Sequence, residues 1–280
     1  MAKANKVLAA SYIGAGLAGA VRALTLPFGP EMGRRIAGHA SQLVAPIVTV
    51  KTKRGPMRFW CPSATSAKHA INFLRYEPDT RAWIETHVKS GDHLWDIGAN
   101  IGAYSIYASL GEGVSVSAFE PVAGTYWALV KNLSLNASAK ATVALAIALS
   151  DKSAIAPFYL RQTEVGGAMN ALGAPEAVDG RFEPESVQHV VALRGDELVQ
   201  RFGARAPTHV KLDVDGHELQ ILNGLGGILP SIKTLWIEMI EASDISGTNA
   251  RIEAYLTGFG FEAKGGGLNR LFVNGRKSVS

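Results

Sequence analysis

A single cysteine, Cys61, stands among 280 residues, so no intrachain disulfide can form and no Cys/His set has zinc-site spacing. That scarcity is compatible with a reducing cytoplasmic setting. Charge of one sign is scarce too. The formal net charge is +4 and the sequence pI about 9.1, and no Lys/Arg cluster approaches a nucleic-acid-binding tail, so no nucleic-acid partner is expected. Long apolar runs are missing as well: the segment after Lys6 is too short and too glycine-rich to read as a membrane span. There is no internal repeat of useful length. What remains is a 47% hydrophobic chain, long enough for one large domain or one domain with an appendage.

Lys3 and Lys6 precede VLAASYIGAGLAGAV and then Arg22. Three readings stand for this start: an export signal with its basic and apolar regions, peripheral contact with a membrane surface, or a packed helix. A break follows at residues 26–30, which hold two prolines and a glycine. Residues 42–50 read as a short strand that Pro46 confines to a sheet edge. Residues 51–56 (KTKRGP) form a basic turn, and residues 57–60 return as the second arm of a hairpin. Residues 81–88 have helical spacing, with Asp79 or Thr80 as N-cap. This region is expected to cover a ligand site as a cap or simply to pack.

Residues 93–105, HLWDIGANIGAYS, organise the chain. They predict a strand, a turn carrying Gly98 and Gly102, and a helix start, the arrangement that binds nucleotides at the carboxyl ends of α/β strands. A dinucleotide fingerprint needs a second glycine for the pyrophosphate. That position is Asn100 here, and the third is Ala103. Asp96 precedes the turn instead. A carboxylate there suits a ligand with cationic ends, so the pattern favours S-adenosylmethionine over NAD. An NAD-dependent oxidoreductase is the rival reading. A non-catalytic, membrane-associated binding protein of the same fold is the other.

Residues 114–119 predict a second strand that delivers Glu120 and Pro121, about 20 positions after the turn, where an acid binds ribose hydroxyls. A helix follows through Leu133. Residues 141–149 read as a third strand ending in Ser150 and Asp151, polar groups able to hydrogen-bond an adenine amino group. Residues 163–180 look aperiodic, a mobile insertion suited to substrate contacts. Further strands are expected at 187–193 and 209–212, the latter delivering Lys211, Asp213, Asp215, His217 and Glu218. So many titratable groups at one strand end mark a site. His217 or Asp213 could act as general base, and Asp213, Asp215 and Glu238 could instead hold a divalent cation, leaving metal use open. Residues 218–229 read as a helix, 234–239 as a fifth strand, 250–257 as a helix, and 258–263 with 269–273 as a terminal antiparallel pair.

On these residues the chain resembles the FkbM family of S-adenosylmethionine-dependent methyltransferases, from about Tyr76 to Val273. The carriers are Tyr76-Glu77-Pro78, the Asp96–Ser105 turn, Phe119-Glu120-Pro121, Asn132 with Asn136, residues 148–151, residues 211–218 and Trp236 to Glu238. The resemblance implies an α/β fold with a class I, Rossmann-like, seven-stranded and mostly parallel sheet ending in an antiparallel strand. A helical and hairpin extension over residues 1–75 would precede a methyltransferase domain over 76–280. It implies methyl transfer to an oxygen of a sugar, glycolipid or natural-product-like acceptor. By position, Asp96, Gly98, Asn100 and Gly102 would line the methionine and ribose moieties, Glu120 the ribose hydroxyls, and Ser150 with Asp151 the adenine. Glu77, Ser105 and Pro121 complete the expected cofactor set. Lys211, Asp213, His217 and Glu238 would face the transferring methyl. One departure stands out: Asp215 occupies a position where the family pattern has glutamate. A cofactor made in the cytosol argues for a cytoplasmic protein, with a peripheral place at the membrane as the alternative.

Overall fold

A computed structural model describes residues 2–239 and 247–276. The chain divides into two compact units, residues 1–46 and 47–280. In the first, α1 (Ala2–Thr25) passes through a single 3-10 turn, Leu26–Phe28, into α2 (Gly29–Val44). Pro27 and Pro30 both lie in first turns, where a missing N–H costs nothing. The strand expected from residue 42 therefore starts only at Ile47, because residues 42–44 complete α2. Among the described residues no helix is long and apolar enough to cross a membrane.

The second unit opens with the expected hairpin, β1 (Ile47–Thr52) and β2 (Gly55–Trp60), paired antiparallel. The Thr52 hydroxyl donates to the Gly55 carbonyl and accepts from the Arg54 N–H, closing the turn. Helix α3 (Ala64–Asn72) is started by a Ser63/Ser66 capping box. Helix α4 (Pro78–His87) begins earlier than its spacing predicts, with Glu77 rather than Asp79 or Thr80 at the N-cap and no side-chain cap. The cause is Pro78, which disfavours helical geometry in the residue before it. Glu77 has φ 44°. Thr80, inside the first turn, donates to Glu77 Oε2 at 2.9 Å and accepts from Trp236 Nε1 at 2.8 Å.

Strand and helix then alternate: β3 (His93–Ile97), α5 (Ala103–Ser109), β4 (Ser115–Phe119), α6 (Ala123–Ser134) and β5 (Thr142–Leu145). After a small-strand region come β6 (Ala148–Leu149), β7 (Ala154–Leu160), β8 (Ala171–Leu172), β9 (Glu176–Ala177), β10 (Gly180–Arg181) and β11 (Ser186–Leu193). The chain closes with α7 (Gly195–Phe202), β12 (His209–Leu212), α8 (Glu218–Gly224), β13 (Thr234–Glu238), α9 (Thr248–Gly258), β14 (Phe261–Lys264) and β15 (Asn269–Asn274).

The main sheet has seven strands in the order β14-β15-β13-β12-β3-β4-β5. β13, β12, β3, β4 and β5 are parallel, and β15 runs against both its neighbours. The expected class I sheet with its terminal antiparallel strand is present. Every residue of β3 and β12 is buried, as covering helices on both faces of a parallel sheet require. The direction of strand succession reverses between β3 and β12, the switch point at which such sheets open a ligand crevice. Trp95, Phe119, Leu212 and Leu235 belong to the core beside it.

Two readings need correction. Residues 141–149 do not form one strand. The edge strand β5 stops at Leu145, and Ala148–Leu149 pairs in parallel with β11 instead. Residues 163–180, read as aperiodic, hold short strands. β6, β11, β7 and β8 make a second, four-stranded sheet, and β9 pairs with β10. Strands of two residues carry no periodic signature, and Pro157 interrupts that of β7.

The two asparagines singled out in the sequence are structural ties. Asn132 on α6 is fully buried. Its Oδ1 accepts from the Trp60 N–H at 2.7 Å and its Nδ2 donates to the Ile101 carbonyl at 2.9 Å. Asn136, one turn on, exchanges two further bonds with the Arg58 backbone. Helix α6 thus holds both the hairpin and the glycine turn.

Candidate active site

The turn after β3 is shaped by close backbone approach. Gly98 has φ 81°, and a Cβ there would lie 1.8 Å from the Asp213 carbonyl oxygen. No other residue lets the ends of β3 and β12 meet. The Gly98 and Ala99 N–H groups both donate to the Phe119 carbonyl, binding the turn to the end of β4. Asn100 is left-handed at φ 49°, and its N–H donates to Glu120 Oε2 at 3.0 Å. The other Glu120 oxygen accepts from the Val122 N–H at 2.8 Å. Burial pushes the Glu120 carboxyl up to about 7, although these two donors favour its charged form.

A cavity of about 360 Å³ opens over these strand ends, within the size range of small-molecule sites. Of the residues predicted from sequence, Glu77, Gly98, Asn100, Glu120, Pro121, Lys211, Asp213, His217 and Glu238 line it. Asp96 and Ser105 lie behind its wall, buried, with the Ser105 hydroxyl donating to Asp96 Oδ2 at 2.5 Å. Gly102 starts α5 against Leu129. Ser150 is reached through the wall: its hydroxyl is 3.0 Å from His217 Nε2 and donates to Asp151 Oδ1.

Lys211 is the electrostatic centre. Its side chain is buried, with Nζ 2.7 Å from Asp213 Oδ2, 3.8 Å from Asp96 Oδ1 and 5.1 Å from the centre of the Tyr104 ring. Burial opposes its charge, but the carboxylates of Asp213, Asp96 and Glu77 outweigh that and hold it cationic. Asp96 Oδ1 has no hydrogen-bond partner, and burial raises this carboxyl against the pull of Lys211. Burial also opposes ionisation of Asp213, yet Lys211 and a hydrogen bond with Glu238 keep it below the usual carboxylate range. Glu238 goes the other way: burial and the Asp213 charge push it up to about 9. The two carboxyls thus divide into one ionised and one protonated group, the arrangement that separates acid and base roles at active sites.

The wall opposite is held by the second sheet. Asp215, left-handed at φ 60°, accepts from the Met169 N–H at 2.7 Å, and burial with the Asp213 charge raises it to about 6. Glu218 does not face the cavity: it accepts from the Gly216 and Val214 N–H groups at the start of α8. Burial lowers His217, keeping it neutral. Among the described residues no group of three or more His, Cys, Asp or Glu could hold a metal ion. Asp213 is taken up by Lys211 and Asp215 by Met169.

Sequence reasoning missed His69, Tyr104, Phe158, Asn170 and Glu176, which also line the cavity. Tyr104 stood inside the quoted motif, one residue before Ser105. Burial, with the nearby Glu77 charge, raises its hydroxyl above its ordinary value. His69 comes from α3, with Nε2 3.0 Å from the Gly166 carbonyl, and nothing in its sequence surroundings marks it.

The deciding comparison is with families of known proteins. Residues 96–263 match the Methyltransferase FkbM domain. The chain belongs to the FkbM methyltransferase family. This family is S-adenosylmethionine-dependent. The chain is 29% identical over 178 residues to the hexuronic acid methyltransferase AglP of Haloferax volcanii, a match covering 62% of this chain and 66% of that one. It is 27% identical over 197 residues to the 31-O-demethyl-FK506 methyltransferase FkbM of Streptomyces tacrolimicus, covering 62% and 74%. The fibrillarin of Aeropyrum pernix, solved with S-adenosylmethionine bound, superposes with a TM-score of 0.45 at 11% identity, covering 82% of each chain. The match to AglP spans just under two thirds of that protein's length.

Proposed function

We propose that this FkbM-family methyltransferase moves a methyl group from S-adenosylmethionine to a hydroxyl of a sugar, glycolipid or natural-product-like acceptor. The observation that carries the reading is the placing of Asp213 and Glu238 in the lining of the cavity built on the Gly98 turn, with Lys211 Nζ 2.7 Å from Asp213 Oδ2. The residues fit the cofactor. The Gly98 turn admits a ligand against the backbone, Glu120 and Asn100 stand where ribose hydroxyls would be held, and the acidic lining suits a cation. The cofactor supplies an electrophilic methyl on a positively charged sulfur.

The protein's own part is to orient the acceptor hydroxyl and receive its proton as the C–O bond forms. Asp213 is ionised at neutral pH and takes that proton. Lys211 holds Asp213 in place through its 2.7 Å ion pair. His217, neutral and tied to Ser150, shapes the adjoining wall. General-base action of this kind contributes about 10²–10⁴-fold. The test is a labelled-methyl assay against a panel of glycosides, hexuronosides and macrolides, with Asp213→Asn and His217→Ala alongside. Label in an alkali-stable methyl ether, with kcat lowered by about 10²-fold or more in Asp213→Asn, supports the reading. Alkali-labile label, or full turnover in both variants, overturns it.

A peripheral membrane contact through the first unit belongs to the same proposal. Residues 1–46 hold five basic side chains and one acid, Glu31, so the whole net charge of +4 lies there. Leu24, Leu26, Phe28 and Met32 are exposed beside Arg34 and Arg35. Basic, apolar helices of this kind bind anionic bilayers. The full chain should sediment with phosphatidylserine vesicles and residues 47–280 should not. Equal sedimentation of the two removes the contact.

A further inference from the structure

Helix α3 and the loop over residues 164–166 are clamped into one piece beside the cavity. The Ser63 hydroxyl donates to the Val165 carbonyl at 2.6 Å. Glu164 accepts from the Thr65 N–H at 3.1 Å and from the Thr65 hydroxyl at 2.8 Å, both in the first turn of α3. The Gly166 N–H donates to Thr125 Oγ1 of α6 at 3.1 Å. Its carbonyl accepts twice, from Asn100 Nδ2 at 3.2 Å and from His69 Nε2 at 3.0 Å. A carbonyl oxygen can only accept, so His69 Nε2 carries the hydrogen, and in a neutral imidazole that leaves Nδ1 as a bare acceptor.

That nitrogen is open to a ligand. Among the described residues only the Gly166 carbonyl bonds the ring, and Nδ1 is not one of the sealed, partnerless side-chain atoms. The Cδ2–Nε2 edge rests on Gly166, where an added Cβ would lie 3.4 Å from His69 Cδ2. Nδ1 stands across the ring from that edge, in a residue that lines the cavity. An unperturbed imidazole is already mostly neutral above pH 7, and burial favours the neutral form further. His69 also lies ahead of residues 96–263, over which the family is recognised.

We infer that His69 is an acceptor-binding residue: Nδ1 takes a hydrogen bond from a second hydroxyl of the methyl acceptor, next to the hydroxyl that is methylated. This rests on the proposed methyl transfer to oxygen. Asp213, from the end of β12, and His69, from α3, reach the same cavity from different elements, so one molecule can engage both. The acceptor class narrows to molecules with neighbouring hydroxyls, such as a sugar ring. The pinned tautomer also sets what is refused. Turning Nε2–H towards the ligand would break the Gly166 bond, so an ether or carbonyl oxygen beside the reacting hydroxyl meets lone pair against lone pair.

The experiment uses the full chain, labelled S-adenosylmethionine, and methyl glycosides and methyl hexuronosides with their monodeoxy forms, beside macrolides. For the sugar labelled fastest, removing a hydroxyl adjacent to the methylated one should lower kcat/KM about tenfold or more, the effect of leaving a desolvated acceptor unpaired. In His69→Phe and His69→Leu the intact sugar should already be turned over that slowly, and the deoxy penalty should vanish. Calorimetric affinity for S-adenosylhomocysteine should stay unchanged in both. Equal turnover of every deoxy form that keeps the methylated hydroxyl overturns the inference from the wild type alone. A penalty that persists in either folded variant gives the second hydroxyl another partner and overturns it as well. Weakened S-adenosylhomocysteine binding in the variants puts His69 on the cofactor and likewise overturns it. Label only on acceptors without neighbouring hydroxyls overturns the inference and leaves methyl transfer intact, whereas label on no acceptor overturns the proposed function itself.

Discussion

Replacing Asn132 by alanine would strip two buried backbone groups of their partner at once. The Trp60 N–H and the Ile101 carbonyl are both bonded to this fully buried side chain, at 2.7 and 2.9 Å. Leaving a buried donor or acceptor unsatisfied costs about 1–3 kcal/mol, so the pair predicts a loss of about 2–6 kcal/mol. Asn136→Ala is the internal control. It also removes two bonds to hairpin backbone, but those lie in exposed surroundings, where water replaces the partner and the loss should stay near 1 kcal/mol. Because Ile101 belongs to the glycine turn, Asn132→Ala should also weaken S-adenosylhomocysteine binding, whereas Asn136→Ala should not. Urea denaturation gives the stabilities and calorimetry the affinities. If the two variants proved equally stable, Asn132 would not be the tie that the geometry describes.

Three further outcomes are expected. Gly98→Ala places a Cβ 1.8 Å from the Asp213 carbonyl oxygen, so the ends of β3 and β12 must separate. Nucleoside binding should vanish in calorimetry while the far-UV spectrum stays folded, and near-normal affinity would contradict the packing. Glu120→Gln keeps one acceptor oxygen for the Asn100 and Val122 N–H groups, which now use two. Affinity for S-adenosylhomocysteine should drop about tenfold or more, the equivalent of about 1.4 kcal/mol, and a change below twofold would argue against ribose contact. Burial lowers His93 from 6.5 to about 4, so the unfolded chain takes a proton that the folded chain refuses until about pH 4. The stability it contributes is complete above pH 6.5 and is lost as pH falls towards 4, by about 3 kcal/mol in total. Urea midpoints across that range should show the wild-type advantage over His93→Gln shrinking accordingly, and parallel pH profiles would refute it.

The parallel sheet was legible because each central strand is a short apolar run bounded by glycine or a charged residue. Residues 209–212 were read at their true limits for that reason, and the strand ahead of Gly98 was read in its place. The glycine turn and the acids at strand ends were legible too, since function puts unusual residues in fixed register with the sheet. What stayed hidden was tertiary. Asn132 looked like a family marker, and only the fold shows it holding Trp60 to Ile101. Ala148–Leu149 continued an apolar run, and nothing local says that its hydrogen-bond partner is β11 rather than β4. His69 reaches the cavity from α3 without any spacing that announces it. Asp96 looked like a ligand contact, whereas its burial behind Lys211 depends on how α5 packs on β3.

The excursion from β6 to β11 returns to where it began: Ala148 and Leu149 lie beside Ala192 and Leu193. The intervening chain leaves and rejoins the molecule through adjacent backbone positions while supplying one wall of the cavity. Joining ends that already touch costs little whatever lies between them. This wall is therefore an exchangeable cassette. Evolution could lengthen, trim or replace it, and so retarget the enzyme to a different acceptor, without moving the strands that bear the donor.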